Sequence, residues 1–108
     1  MRRGRGTRWE PLLFTCLLLI HLAPLASVTY LPTDDGPAHV GSAYTLLHYQ
    51  DPAYAAFRQY FEINGRPVPN WPGQLLLAAL LSAFTPATAL KMVAGLSIFL
   101  LPLSARYA

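Results

Sequence analysis

The sequence predicts an all-α integral membrane protein, with about three transmembrane helices and short amphipathic helices in the first extracytoplasmic loop. Three observations predict this class. The 108 residues are 54% apolar and only 12% charged, and that charged fraction is about half of what a soluble domain usually carries. The apolar residues collect in long runs towards the two ends of the chain. Arginines cluster before the first run, as is typical of the cytoplasmic side of a membrane helix.

Residues 1–10 are predicted to be a basic cytoplasmic segment, and residues 11–31 to be transmembrane helix 1. About 20 apolar residues are enough to cross a hydrocarbon core of about 30 Å. Four of the eight basic residues precede this run: Arg2, Arg3, Arg5 and Arg8. The positive-inside rule therefore predicts a cytoplasmic N-terminus. A cleaved signal peptide is the alternative, although Pro24 and Leu25 occupy positions where such a cleavage site prefers small residues.

Residues 32–73 form the predicted extracytoplasmic loop, with two short helices. Apolar side chains recur at helical spacing from Ala38 to Gln50. Asp51-Pro52 then predicts a helix cap followed by proline at the first position of a second helix, which ends near Phe61. The aromatic faces of these helices favour helices that lie on the bilayer surface. The alternative is an ordinary small extracytoplasmic loop that packs on its own helices. The proline-rich stretch 66–73 is predicted to be extended.

Residues 74–87 are predicted to be transmembrane helix 2 and residues 88–107 transmembrane helix 3. The pair forms a hairpin that runs inward and then outward, with Lys91 marking a cytoplasmic turn. The first arm is short for a full span, so it requires tilt or local thinning of the bilayer. A re-entrant arm is the alternative. Because the chain stops as the last apolar run ends, we expect it to be a truncated part of a longer protein.

An acidic cluster follows the first apolar run, in the order Asp34-Asp35-Gly36-Pro37-Ala38-His39. A carboxylate just outside the bilayer can serve as a general base for an acceptor hydroxyl. If the chain there is helical, His39 meets Asp35 on one face, where the two could orient a base, bind a phosphate or share a divalent ion. The simpler alternative is that Asp34 and Asp35 cap the following helix.

The order of these features resembles the N-terminal part of polytopic GT-C glycosyltransferases, the mannosyltransferase-like and bacterial RgtA/B/C/D-like membrane proteins. In that superfamily an acidic residue or pair early in the first extracytoplasmic loop serves as base, or as acceptor and metal contact. Asp34 and Asp35 match it, as Asp-Asp rather than the usual Asp-Glu. The stretch from Arg66 to Pro72 is similar to the Lys-Pro-Pro-type segment that leads into the second helix of the RgtA-like group.

The resemblance implies transfer of a sugar from a polyprenyl-phosphate donor to an acceptor at the outer face of the plasma (inner) membrane, in a multi-pass protein. Asp35 is then the expected base or acceptor contact, with Asp34 as its partner. His39 and Arg66 are expected to neutralise the donor phosphate. The expected partners are the lipid bilayer and a lipid-linked sugar donor, with no nucleic acid. No metal-ligand set is assigned, and a divalent cation at the acidic pair is left open.

Two other classes of function stay open on the sequence. A transporter or channel fragment would also place carboxylates near a pathway, although such proteins more often bury them mid-span. A small membrane-anchored interaction protein would use the aromatic loop to bind partners, with Asp34 and Asp35 as plain caps. If the chain is part of a transferase, we expect the full-length protein to be an active enzyme. We expect the fragment to be inactive by itself, because a complete donor pocket needs further spans.

Overall fold

The computed structural model describes residues 8–108, and all regular structure in this range is helical. The elements are α1 (Glu10–Ser27), α2 (Gly36–Leu47), a 3-10 turn (Pro52–Tyr54), α3 (Phe57–Tyr60), α4 (Trp71–Leu81) and α5 (Pro86–Tyr107). The predicted all-α class is confirmed. Most of the expected basic segment, including Arg2, Arg3 and Arg5, lies outside the described residues.

Two helices are long and apolar enough to cross a membrane, α1 with 18 residues and α5 with 22. At 1.5 Å per residue they measure about 27 and about 33 Å, close to a hydrocarbon core of about 30 Å. Only 6% of each apolar window is buried within the protein, so these helices differ from the core helices of a soluble fold. The third expected span, residues 74–87, overlaps α4, whose 11 residues measure only about 16 Å. The described chain therefore contains two candidate spans.

The chain divides into two compact units, residues 30–94 and a second unit made of α1 with residues 95–108. In the second unit α1 and the end of α5 are antiparallel. An Arg106 Nη2 atom lies 3.1 Å from Glu10 Oε1, and the Arg106 guanidinium lies 4.5 Å from the ring centroid of Phe14. At the opposite end, Gly95 faces Leu25. The sequence prediction of three alternating spans makes the first and last helices parallel, whereas these contacts make α1 and the end of α5 antiparallel.

The 30–94 unit is built around contacts between α2 and α4, with the first turns of α5 added. Its buried core consists of Ala43, Leu77, Ala78 and Ala89. The three alanines among them allow the helices to approach closely, since an alanine keeps no more than a methyl group between two backbones. The helix that we expected to be a second span therefore packs against a helix of the loop.

Element boundaries depart from the sequence expectations at three places. Helix α1 ends at Ser27, before an extended Val28 (φ −112°, ψ 145°), rather than near residue 31. The Asp51 cap is confirmed, because Asp51 Oδ1 accepts the Ala53 N–H at 2.9 Å, but it begins a three-residue 3-10 turn and the four-residue α3 instead of one longer helix. Helix α4 begins at Trp71 with Pro72 in its first turn, inside the stretch predicted to be extended, because proline is compatible with the first turn of a helix.

Candidate functional site

The acidic pair lies in the short connection between α1 and α2, and both carboxylates are exposed. Asp35 occupies the N-cap position of α2, but its backbone is helical (φ −92°, ψ −10°) and its side chain accepts no capping hydrogen bond. Within residues 8–108, neither Asp34 nor Asp35 has a hydrogen-bond or ion-pair partner for its carboxylate. The capping alternative predicts a bond from the carboxylate to the first turn of α2, and that bond is not made. Both carboxylates are thus available to a ligand.

His39 lies one helical turn after Asp35, and its backbone N–H donates to the Asp35 carbonyl at 3.0 Å. Its side chain is held by a different element, since His39 Nδ1 lies 3.0 Å from Gln74 Nε2 on α4. No side-chain bond joins His39 to Asp35 in the part of the chain that the structure describes. The packing of α2 against α4 explains this arrangement, because it brings Gln74 beside the ring. Sequence spacing alone did not indicate Gln74 as a partner.

With the Gln74 amide donating to Nδ1, the proton of the neutral imidazole lies at Nε2. Nε2 then remains a donor for an external acceptor such as a phosphate oxygen. His39 also borders an open cleft of about 290 Å³, whose other walls come from the residues before α4, from α4 itself and from α5, including Asn70, Leu77 and Leu90. The ring is therefore oriented by one hydrogen bond and still faces a space that a small ligand can enter.

Arg66 lies in the exposed connection between α3 and α4. Its backbone N–H donates to Asn64 Oδ1 at 3.0 Å, which closes a local turn of the type that Asn favours. Among the described residues the guanidinium has no partner, and Arg66 lines a shallow pocket with Glu62 and Asn64. No hydrogen bond or ion pair within residues 8–108 links it to Asp34, Asp35 or His39. The structure therefore brings the sequence-predicted residues into one unit without joining them in a single bonded network.

A cluster of aromatic side chains between α2 and α3 was missed as a unit by the sequence analysis. The Tyr44 and Tyr54 hydroxyls are 2.8 Å apart, and the Tyr44 ring lies 4.3 Å from the His48 ring. Phe57 stacks on Tyr54 with centroids 5.3 Å apart. His48 Nδ1 lies 3.6 Å from Asp51 Oδ2. The spacing of four residues from Tyr44 to His48 was the available signal, because residues four apart share a helix face.

The hydrogen bond between the two tyrosines raises the pKa of Tyr44 above its usual 10.0. Partial desolvation and the nearby Tyr54 and Asp51 charges raise the pKa of Tyr44 further. Each of these causes favours the neutral phenol over the phenolate. Tyr44 is therefore a hydrogen-bonding group at neutral pH and not a base.

The possible ligands for a metal ion are spread along the chain. Within residues 8–108 no three side chains of His, Cys, Asp or Glu come together in a geometry that could hold an ion. A cation at the acidic pair would thus find two carboxylates from this chain and take its other ligands from substrate or solvent. Comparison with known protein families, with curated proteins and with solved structures finds no match to this chain.

Proposed function

We propose that this chain is the N-terminal part of a membrane glycosyltransferase that moves a sugar from a polyprenyl-phosphate donor to an acceptor at the extracytoplasmic face. The observation that carries the proposal is the exposed and unpaired acidic pair directly after a candidate membrane span. Carboxylates that serve neither as caps nor as ion pairs leave their oxygens available to a substrate at this position. From this position a carboxylate can accept the proton of an acceptor hydroxyl.

In the proposed reaction, a carboxylate oxygen of Asp35 accepts the proton of the acceptor hydroxyl. The hydroxyl oxygen attacks the anomeric carbon of the donor sugar as the bond from that carbon to the phosphate oxygen breaks. The polyprenyl phosphate leaves with the bonding electron pair. Asp34 is the partner carboxylate, next to Asp35 in the chain and likewise exposed.

The negative charge that develops on the leaving phosphate requires donors. His39 supplies one through Nε2, since its Nδ1 is occupied by Gln74. Arg66 supplies a guanidinium that makes no side-chain bond among the described residues, and its exposed loop position suits a ligand that arrives from the membrane surface. These two residues belong to the proposal as phosphate contacts, with roles distinct from proton transfer.

We further propose that α1 and α5 both cross the plasma (inner) membrane, with the N-terminus in the cytoplasm. Two antiparallel spans leave both of their outer ends on one side and the connecting residues 28–85 on the other. Four arginines precede α1, and Arg106 lies in the last turn of α5. The positive-inside rule thus supports a cytoplasmic location for these ends. The acidic pair would then lie outside, where lipid-linked sugar donors are used.

The proposal is tested by donor consumption, a readout that does not need the acceptor to be known. Membranes that contain the full-length protein are incubated with polyprenyl phosphates carrying a radiolabelled sugar, and the label that leaves the lipid fraction is measured. We expect Asp35→Asn to lower the rate by about a hundredfold or more, as is typical for loss of a general base. Asp34→Asn is expected to lower it by a smaller factor.

Asp51→Asn is the matched control, because it removes a carboxylate from the same unit while an amide oxygen can still cap the 3-10 turn. We expect it to retain the wild-type rate. Full activity of both acidic-pair variants at normal expression would remove the catalytic role. Absence of donor consumption in the wild type would instead favour a membrane-anchored interaction protein, a class that the exposed Tyr60 and Phe61 side chains also suit.

A further inference from the structure

A separate cavity of about 250 Å³ opens in the 30–94 unit, between α2 and the residues that lead into α4. Three aromatic side chains contribute to its wall: Tyr49, Phe61 and Trp71. Each comes from a different segment, namely the turn after α2, the connection after α3 and the first residue of α4. Rings from three segments around one small volume give a ligand apolar faces on several sides.

The aromatic edge of this cavity is held in place by two hydrogen bonds. The Tyr49 hydroxyl donates to the Phe61 carbonyl at 3.0 Å. The Arg58 guanidinium donates to the Tyr49 carbonyl at 2.7 Å. These bonds connect the turn after α2 with α3 and the chain after it, so the wall is largely formed before a ligand arrives. A preformed wall reduces the ordering cost of binding.

Polar groups without partners face the same space. The Glu62 carboxylate and the Asn70 amide make no hydrogen bond within residues 8–108. Asn64 uses its Oδ1 to accept the Arg66 N–H, which leaves its NH₂ group with no partner among the described residues. The cavity thus offers a carboxylate acceptor and two side-chain amides beside aromatic rings. Together they match a ligand that carries several hydroxyls around an apolar ring face.

We propose that this cavity binds a single neutral sugar ring. The volume is below the range of about 300–1,000 Å³ that is usual for drug-sized ligands, so one ring is the appropriate size. The Glu62 carboxylate disfavours anionic ligands such as sugar phosphates and uronic acids. A purely apolar ligand would make no use of the exposed carboxylate and amides at the edge of the cavity. A sugar hydroxyl, which both donates and accepts, satisfies all of these groups.

One side chain of the cavity wall also contacts His39, the residue that follows Asp35 by one helical turn. Gln74 lines the cavity, and its amide bonds to the His39 imidazole, one helical turn beyond Asp35. The bound sugar is therefore the acceptor, or the terminal unit of the acceptor, for the proposed transfer. This role rests on the proposed function, whereas the binding of a neutral sugar does not.

Trp71 provides a direct readout of binding. The chain has two tryptophans, Trp9 and Trp71, so Trp9→Phe leaves the cavity residue as the only tryptophan. The full chain, reconstituted in lipid nanodiscs, is titrated with methyl glycosides of neutral hexoses and with N-acetylglucosamine, and Trp71 emission is recorded. Saturation-transfer NMR on the same samples reports contact from the side of the sugar. We expect a saturable response to at least one of these sugars at millimolar concentration.

Two variants test the polar contacts. Glu62→Gln removes a charged acceptor that has no structural partner among the described residues, and we expect it to weaken sugar binding about tenfold. Asn70→Ala removes an amide that makes no capping bond, so it should weaken binding while α4 remains folded. Asp51→Asn is the control, since Asp51 lies outside the cavity wall, and it should bind as the wild type does. Helical circular dichroism confirms that each variant is folded.

The outcomes separate this inference from the proposed function. Saturable sugar binding without donor consumption would support the cavity and remove the transferase. Donor consumption that depends on Asp35, together with no sugar response by either method, would remove the cavity proposal alone. A saturable response to choline but to no neutral sugar would also overturn it, because it would identify the aromatic wall as a cation site.

Discussion

At the scale of single residues, a pair of tyrosines forms a part-buried side-chain contact between α2 and the 3-10 turn. The Tyr44 and Tyr54 hydroxyls are 2.8 Å apart, and their rings meet edge to face with centroids 5.7 Å apart. The bond stabilises the neutral phenol and so raises the pKa of Tyr44. Because the folded-state pKa lies above the unfolded one, the contribution of this group to stability is complete below pH 10.0 and is lost as the pH rises through the folded pKa.

We predict that Tyr54→Phe returns the pKa of Tyr44 towards its ordinary value of 10.0, because the largest cause of the shift is removed. Ring-labelled NMR across alkaline pH measures the pKa, with Tyr44→Phe used to assign the signal. Tyr60→Phe is the control, since Tyr60 is 80% exposed and lies outside the pair. An unchanged Tyr44 pKa in the Tyr54→Phe protein would mean that the hydroxyl bond is not the cause.

His39 illustrates the limit of sequence spacing for a side chain. Its separation from Asp35 predicted that the two would meet on one helix face. The structure instead pairs its Nδ1 with Gln74, which is 35 residues away in the sequence. A partner at that distance depends on how α2 packs against α4, and the sequence contains no local signal for it.

At the scale of the element, helix α2 depends on glycine at its first position and not at its sixth. A Cβ on Gly36 would overlap the Thr33 side chain and lie 2.8 Å from a methyl carbon of Leu90. A Cβ on Gly41 would meet no atom within 4 Å. The first glycine therefore permits close contact of α2 with α5, whereas the second only adds flexibility to the unfolded chain.

We predict opposite effects of alanine at these two positions. Gly36→Ala should destabilise the protein by about 1–3 kcal/mol, as overpacking usually does. Gly41→Ala should stabilise it by roughly 0.5–1 kcal/mol, because alanine is the better residue inside a helix. Denaturant titration followed by circular dichroism, in one detergent for all three proteins, measures the difference. Equal stabilities of the two variants would show that the space around Gly36 is not tightly packed.

At the scale of the whole molecule, the number of membrane crossings determines on which side the last residues lie. The antiparallel contact of Glu10 with Arg106 fits our proposal of two crossings, which would place both ends of the pair on one side. Three alternating crossings, as the sequence suggested, would place Arg106 on the side opposite to Glu10. The 11 residues of α4 and its packing against α2 favour two.

We predict that cysteines at residues 65 and 108 label from opposite sides of the membrane. In a Cys16→Ser background, Gly65→Cys should react with a membrane-impermeant maleimide in intact cells, because position 65 is exposed and uncrowded. Ala108→Cys should react only after permeabilisation. Labelling of both positions in intact cells would indicate three crossings. A shortened protein at the membrane or in the medium would identify α1 as a cleaved signal peptide.

Much of the local structure follows from the sequence. The long apolar run of α1 predicts a membrane-spanning length, and Asp51-Pro52 predicts a cap that the structure contains. Composition is sufficient for these features because they depend on residues that are close together in the chain. The position of the acidic pair after the first apolar run also follows from the sequence, because it requires only counting residues.

Only the tertiary structure decided which helices pack together and in which relative direction they run. The pairing of α2 with α4 converted an expected span into a packed helix, placed Gln74 beside His39 and assembled a cavity from segments around Tyr49, Phe61 and Trp71. An apolar sequence specifies that a helix must be covered, but lipid and another helix cover it equally well. Only the close fit of Ala43, Leu77 and Ala89 selects between them, because side-chain packing depends on residues that are distant in the sequence.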